Sequence, residues 1–248
     1  MDEELLRRVK TQDWFYEFLL PDGTKTAPDI GQEVAAIHST RRNKLREVIA
    51  ARVPQAAELS ALDFASHQGY FSIELASHFS KVTGLELRPS SIAQASDITT
   101  LLGITNVEYR HANILEMKAG DEMQADFVLV FGLLYHLEEP IRVLRLASQL
   151  TRRHILIETQ VFPYDISGRI EDGSYGWQRS VAGVFSLSVD YGDRREGGSS
   201  DLAIVPSLNA LIFLLRHFGF NEVQVLDFGA DDYEQFRRGS RVIVYAAK

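Results

Sequence analysis

The chain has 248 residues, of which 45% are hydrophobic and none is cysteine, so disulfide bonds and thiolate chemistry are excluded. Its formal net charge of -8 at pH 7 disfavours a general attraction to polyanions. The N-terminus lacks the pattern of a secretory signal, and no apolar run approaches the ~20 residues of a membrane span, so we expect a cytoplasmic protein without membrane contact.

The first part of the chain is predicted to be helical. The spacing of apolar residues indicates helices over 3–19 and 29–53. Segment 20–24 between them is predicted to be a turn, because its proline presets φ and its Asp-Gly pair tolerates a reversal. We expect residues 1–55 to form an N-terminal helical cap over a ligand site.

From residue 59 onward, apolar strands alternate with amphipathic helices. The predicted strands are 59–65, 81–86, 105–111, 125–131 and 153–161, and the predicted helices are 69–79, 89–103 and 138–151. This alternation implies right-handed crossovers and a parallel sheet that is covered on both faces. Helix 207–219 then precedes two strands, 222–229 and 240–247, whose short polar connection predicts an antiparallel edge hairpin.

One long connection interrupts the alternation. Residues 162–204 are predicted to be an insertion after the fifth strand, and connections of this length usually carry a function or are disordered. Their aromatic content argues against disorder, so we expect a segment that covers the substrate, with a mobile tip near 194–200. Residues 56–161 and 205–248 would then form the main domain.

The most informative segment joins the first predicted strand to the helix that follows it. Asp63 lies near the end of that strand, and Ala65, His67 and Gly69 follow at alternate positions. In open α/β sheets, a strand that feeds a short loop and a helix N-terminus is the usual place for a nucleotide-like ligand. Glu86 ends the next strand, where a carboxylate can accept both ribose hydroxyls. This order predicts a cofactor that contains a nucleoside.

The loop resembles that of the methyltransferases, whose pattern is Asp-x-Gly-x-Gly-x-Gly. In such enzymes the segment around Asn113 would accept a hydrogen bond from the adenine amino group, and Leu87 and Ile114 would sandwich the ring. The loop lacks the Gly-x-Gly-x-x-Gly arrangement that places amides against a pyrophosphate, which favours S-adenosyl-L-methionine over a dinucleotide. An unliganded strand–helix turn is the alternative interpretation of this loop.

The segment that starts with the fourth strand carries a closer resemblance. Its sequence, DFVLVFGLLYHLEEP, is similar to that of the bacterial tRNA wobble-uridine (5-oxyacetic acid) methyl- and carboxymethyltransferase family. The resemblance covers most of 59–161 and 205–248. It implies the α/β class I methyltransferase fold, a Rossmann-like, mostly parallel seven-stranded sheet with an antiparallel C-terminal hairpin.

The same resemblance implies further residues of a cofactor site. Its carboxymethyl-transferring members hold a carboxylated S-adenosylmethionine with a tyrosine, an arginine and a lysine, which Tyr135, Arg241 and Lys44 match here, whereas a tryptophan of that set is absent. Carboxy-S-adenosyl-L-methionine is therefore a second candidate cofactor. Phe131 and Gly132, at the end of the fourth strand, are also assigned to the cofactor site.

Three residues are candidates for the transfer chemistry. His136 is the candidate base because imidazole titrates near neutrality, and Tyr135 is expected to orient the acceptor or the cofactor. Glu158 ends the fifth strand and is expected to bind the acceptor. The alternatives are a capping or core role for His136 and a pairing of Glu158 with Arg152 or Arg179. The histidines and carboxylates do not show metal-ligand spacing, so no metal is expected.

Three functions stay open. The first is a methyltransferase for a small-molecule acceptor, because an aromatic insertion can seal an apolar pocket. The second is a tRNA wobble-uridine methyl- or carboxymethyltransferase, in which the basic runs 41–46 and 237–241 would meet phosphates. The third is a catalytically silent subunit that binds the cofactor. The sequence indicates no oligomeric state.

Overall fold

The computed structural model describes residues 2–120, 123–173, 177–189 and 201–248. Its strands are β1 (Ser60–Phe64), β2 (Lys81–Glu86), β3 (Val107–His111), β4 (Ala125–Phe131), β5 (Thr151–Gln160), β6 (Gly168–Asp172), β7 (Trp177–Val181), β8 (Phe185–Val189), β9 (Leu202–Pro206), β10 (Glu222–Val225) and β11 (Arg241–Ala247). Its α-helices are α1 (Glu3–Thr11), α2 (Gln32–Arg52), α3 (Tyr70–Ala76), α4 (Pro89–Leu101), α5 (Pro140–Leu150), α6 (Leu208–His217) and α7 (Glu234–Arg237).

A seven-stranded sheet with the order β3-β2-β1-β4-β5-β11-β10 forms the centre of the described fold. The pairs from β3 to β5 are parallel, and β11 is antiparallel to both of its neighbours. This confirms the predicted fold class. The predicted antiparallel C-terminal pair is also confirmed, with β10 at the edge of the sheet and β11 inside it, but their connection is longer than a short loop and contains α7.

Side chains of β4 alternate between two hydrophobic cores, one on each face of the sheet. Phe127 and Leu129 pack on the face that is covered by α1, α2, α3 and α4. Val128 and Val130 pack on the opposite face, with α5 and α6. Strands that are buried on both faces have nearly continuous apolar sequences, which explains why the sequence pattern located this sheet.

The N-terminal segment departs from the prediction. The helix expected over 3–19 ends at Thr11, and the chain continues as an extended arm in which Trp14 bridges Pro28 and Leu19 bridges Lys25. Trp14, Tyr16, Phe18 and Leu20 are buried at every second position, whereas Leu19 is 63% exposed. A burial period of two belongs to an extended chain, so the helix predicted over 3–19 is wrong beyond Thr11.

The insertion contains two antiparallel strand pairs, β6–β7 and β8–β9. The second pair lies beside the end of a short 3₁₀ turn at 134–136, where the Ile204 amide donates to the Leu137 carbonyl over 2.8 Å. The predicted mobile tip at 194–200 lies outside the described residues. A substrate-covering role for the insertion, and the division into a cap, a main domain and an insertion, stay proposals.

Asp63 is buried between β1 and α3. It is 3% exposed, and the Ser72 hydroxyl donates to its carboxylate over 2.6 Å. Burial raises the pKa of Asp63 to about 7. The folded protein therefore holds a proton on this carboxyl group at pH values where the unfolded chain has lost it.

No helix in the part of the chain that the structure describes is both long enough and apolar enough to cross a membrane.

Substitution of Trp14 tests the extended arm. Trp14→Ala removes a side chain that is 1% exposed, and we expect it to lower the free energy of unfolding by about 3–5 kcal/mol. Leu19→Ala, on the exposed side of the same arm, should change it by no more than about 0.5 kcal/mol. Urea denaturation measures both, and similar losses in the two variants would contradict the observed alternation.

The titration of Asp63 makes stability depend on pH. The folded pKa of Asp63 lies above the unfolded value of about 3.9. The contribution of this carboxyl group to the free energy of unfolding is therefore fully present below the unfolded pKa and is lost as the pH rises through about 7. We therefore expect Asp63→Asn to raise the free energy of unfolding, relative to wild type, more at pH 8 than at pH 5. Urea denaturation at both pH values measures this, with the exposed Asp231→Asn as the control. A pH-independent difference would refute the assignment.

Candidate functional site

A cavity of about 290 Å³ lies at the carboxyl ends of β1, β2 and β4. Because parallel strands point the same way, the loops that follow them meet at this edge of the sheet. Most of the predicted site residues line the cavity: Ala65, His67, Glu86, Leu87, Asn113, Ile114, Phe131, Gly132, Tyr135 and His136.

The loop after β1 has the backbone geometry that a glycine motif would provide. Ala65, His67 and Gly69 have φ values of 54°, 50° and 81°, all in the left-handed region. For a residue other than glycine this conformation costs roughly 1–2 kcal/mol. Gly69 also has no room for a side chain, because a Cβ there would lie 2.3 Å from the Tyr109 hydroxyl oxygen. The loop therefore keeps its shape without two of the three glycines.

The Glu86 carboxylate lies at the centre of this edge. It is 6% exposed, its Oε2 accepts from the His67 amide, and its Oε1 accepts from the Arg88 amide, each over 2.9 Å. A carboxylate has about four lone-pair positions, so both oxygens can accept a further hydrogen bond. This arrangement suits a ligand that presents two neighbouring hydroxyl groups.

One end of the cavity combines apolar side chains with one amide. Leu87 and Ile114 supply the apolar surface there. The Asn113 oxygen accepts from the Leu115 amide over 3.1 Å, and its amide nitrogen donates to Glu116 over 3.0 Å. The oxygen has a second lone pair, so it can still accept the predicted hydrogen bond from the adenine amino group.

The opposite end is lined by Tyr16, Arg41, Tyr135 and His136. The rings of Tyr135 and His136 are adjacent, with centroids 4.2 Å apart. Arg41 is only 5% exposed, and Gly132 allows its close approach, since a Cβ there would lie 3.2 Å from Arg41 Nη2. This end therefore carries a buried cation and three aromatic rings.

Glu158 is the centre of a buried charge cluster and does not line the cavity. It is fully buried and pairs with Arg41 over 2.6 Å and with Arg241 over 2.7 Å. The Gly132 amide also donates to it over 2.9 Å. The structure thus does not bring Glu158 to an acceptor, and its partners are neither of the arginines considered from the sequence.

The set of tyrosine, arginine and lysine that the family resemblance implied is only partly assembled. The Arg241 guanidinium lies 4.7 Å from the centre of the Tyr135 ring. Lys44 instead pairs with Glu47 over 2.9 Å and lies 3.7 Å from Asp232. The described residues that line the cavity include neither Lys44 nor Arg241, and they do not include Asp63 or Gly69.

His67 faces the N-terminal arm. Its ring lies edge-on to Phe15 and Tyr16, with centroid distances of 5.4 Å and 5.7 Å. Burial, aided by Arg88, lowers the pKa of His67 to about 4. His67 is therefore neutral near pH 7 and presents no positive charge to a cationic ligand.

Sequence reasoning missed several residues of the cavity wall. Phe15 and Tyr16 reach it from the arm, and their signal was the alternation that was interpreted as a helix. Arg41 lies within the basic run 41–46, which was interpreted as a surface for phosphates, and its burial has no local signal. Within the described ranges, no group of three or more histidine, aspartate or glutamate side chains is placed to hold a metal ion.

Comparisons with known proteins agree with this fold. The N-terminal domain of EvdMO1 with S-adenosylhomocysteine bound superposes with a TM-score of 0.76 at 21% identity, covering 100% of this chain and 97% of that one. A second structure of that domain, in the presence of S-adenosylhomocysteine and D-fucose, gives a TM-score of 0.73. A match to a further structure of EvdMO1 covers 99% of this chain and 47% of that one, with a TM-score of 0.63 at 20% identity. At such identities the likeness is one of fold.

Magnesium protoporphyrin IX methyltransferase (ChlM) from Synechocystis PCC 6803, with bound S-adenosylhomocysteine, gives a TM-score of 0.57 at 13% identity. The match covers 99% of this chain and 93% of that one. No curated protein matches the sequence. The family model described as a methyltransferase domain matches residues 55–185, more than half of the chain. The chain therefore belongs to the methyltransferase-domain family.

Proposed function

We propose that this protein is an S-adenosylmethionine-dependent methyltransferase that acts on a small-molecule acceptor. The observation that carries the proposal is the Glu86 carboxylate, which two backbone amides hold at the wall of a cavity beside β1 and β4. Membership of the methyltransferase-domain family supports the reaction class. S-adenosylmethionine is the cofactor that family and site support together, since structures of the same fold contain it or its product.

Different residues of the cavity fit the ribose, the adenine and the sulfonium end of this cofactor. The ribose hydroxyls would donate to Glu86, and the adenine would lie between Leu87 and Ile114, near Asn113. Ala65 presents only a methyl group, so the sulfonium end can approach the loop after β1. The neutral His67 adds no repulsion, because burial holds its pKa at about 4.

At the opposite end, Tyr135 and His136 are the proposed acceptor-side residues. When bound, S-adenosylmethionine supplies a methyl group for in-line displacement, and positioning of the reactants contributes about 7–11 kcal/mol to such reactions. Tyr135 would orient the acceptor, with its ring held by Arg241 at 4.7 Å. His136 would take a proton where the acceptor must lose one.

A small acceptor agrees with the surroundings of the cavity. The cavity is bounded by Phe15 and Tyr16 of the arm and by the turn that precedes Leu137. The β8–β9 pair lies beside Leu137. The structure of the EvdMO1 domain in the presence of D-fucose is a precedent for a small molecule on this fold. The acceptor itself stays a prediction, as does the cytoplasmic location.

The finer resemblance to the tRNA wobble-uridine family also stays a prediction, and the charges argue against it. In the basic run 41–46, Arg41 is buried, Lys44 pairs with Glu47, and Arg46 pairs with Glu74. Arg238 pairs with Glu234 over 3.1 Å. Lys44, Arg46 and Arg238 are therefore compensated by neighbouring carboxylates, and Arg41 is turned into the protein, which argues against a surface for phosphates.

Calorimetry with S-adenosylhomocysteine tests the cofactor proposal. The wild type should bind it, and Glu86→Gln should raise the dissociation constant about 10- to 100-fold, because hydrogen bonds to a charged acceptor are lost. Glu138→Gln, an exposed carboxylate outside the cavity, is the matched control and should bind as the wild type does. Absence of binding to the wild type, or equal affinity in Glu86→Gln, would overturn the proposal.

A gel shift with bulk tRNA tests the choice of acceptor class. We expect no shift at low salt, because most residues of the two basic runs are paired or buried and the net charge is -8. A shift that weakens steeply as salt is added would favour the tRNA-modifying alternative. A protein that binds tRNA non-specifically serves as the positive control.

A further inference from the structure

The N-terminal arm borders open space around Phe15. This residue lines the proposed cofactor cavity and also two further cavities, of about 490 Å³ and 360 Å³. Its ring meets His38 of α2 at 5.1 Å. A segment that borders cavities on several sides separates from the fold at a lower free-energy cost than a fully packed one. The contacts that Phe15 makes therefore determine how firmly the arm is held at the cavity wall.

Two consecutive residues of the loop after β1 contact this part of the arm. The Gln68 Oε1 accepts from the Phe15 amide over 2.8 Å, and the Gln68 Nε2 donates to the Asp13 carbonyl over 2.9 Å. The His67 ring meets the Phe15 and Tyr16 rings edge-on, with centroid distances of 5.4 Å and 5.7 Å. Gln68 thus holds the backbone of the arm, and His67 holds its aromatic side chains.

The backbone of His67 is strained. Its φ of 50° lies in the left-handed region, which glycine adopts without strain and other residues adopt at a cost in free energy. Strain of this kind persists where surrounding contacts compensate for it, and it clusters at functional sites. The ring contacts with Phe15 and Tyr16 are such a compensation, and a glycine at this position could not make them.

The same residue contacts the proposed ribose site. The His67 amide donates to Glu86 Oε2 over 2.9 Å, and His67 itself lines the cofactor cavity. A ligand that binds Glu86 therefore meets a carboxylate that is bonded to the residue that holds the arm. Coupling between two binding events is reciprocal. A docked arm would strengthen cofactor binding, and a bound cofactor would hold the arm in place.

We propose that His67 is a positioning residue that couples docking of the arm to binding of the cofactor. The inference rests on the proposed function, because it takes S-adenosylmethionine or its product as the ligand of Glu86. The cavity wall formed by Phe15 and Tyr16 then depends on a side chain that stands where the methyltransferase pattern has a glycine. In this chain the replacement of that glycine adds a contact between the loop and the arm.

Dissociation of S-adenosylhomocysteine, followed by surface plasmon resonance, tests the coupling. His67→Gly keeps the left-handed backbone and removes the ring, so we expect the dissociation rate to rise about 10-fold. Gln55→Gly is the matched control, because Gln55 has a φ of 58° and does not line the cavity. Its dissociation rate should stay within about twofold of wild type. An unchanged rate in His67→Gly would overturn the proposal.

A double-mutant cycle with Phe15→Ala tests whether His67 acts through the arm. Phe15→Ala removes one of the two rings that His67 meets, so in that background His67→Gly should raise the dissociation rate by no more than about threefold. An undiminished effect of about 10-fold would mean that His67 acts on the ligand independently of the arm, and would overturn the proposal.

Hydrogen exchange separates this proposal from the proposed function. In the ligand-free protein, His67→Gly should speed exchange of the amides in 12–28 and leave exchange in α6 as in wild type. Saturating S-adenosylhomocysteine should slow exchange in 12–28 of wild type but not of His67→Gly. Equal exchange of 12–28 in both ligand-free proteins would overturn the role of His67. Failure of the wild type to bind would refute the proposed function, whereas the ligand-free measurement would still test the contact with the arm.

Discussion

The hydrogen bonds to the Glu86 carboxylate organise the cofactor edge of this protein. Glu86 ends β2 and accepts one amide from the loop after β1 and one from the loop that leads into α4. The two loops are thereby held at a common distance from the carboxylate. Because a charged acceptor forms stronger hydrogen bonds than a neutral one, the cavity wall is organised by the side chain that is also proposed to meet the ribose.

A second constraint operates at the far end of the cavity. The Glu158 carboxylate joins Arg41 of α2, Gly132 after β4 and Arg241 of β11, which are distant in sequence. Removing one member of a buried ion cluster usually costs several kcal/mol, whereas the intact cluster adds little stability. We therefore interpret the cluster as an arrangement that holds the Arg41 guanidinium at the cavity wall. It leaves two guanidinium groups with a single carboxylate between them.

The loop after β1 shows how a motif can change while its geometry persists. Ala65 and His67 adopt the left-handed backbone that glycine would adopt without strain. Histidine tolerates this region better than most residues, and alanine is small enough to leave space for a ligand. A pattern of glycines is thus an incomplete guide to this site, and a catalytically silent subunit is not required to explain their loss.

Local periodicity determined the alternating strands and helices, the central sheet and the position of Glu86, because a buried strand and an amphipathic helix each have a characteristic apolar spacing. The aromatic run of the arm at 12–28 is compatible with both a helical and an extended spacing. Its contacts with other segments decide for the extended form, which local spacing does not report. Tertiary structure alone decided the burial and the ion-pair partners of Arg41, Lys44 and Glu158. Burial and ion pairing depend on contacts between distant segments, and no local spacing reports whether an arginine on a helix faces water or a cavity.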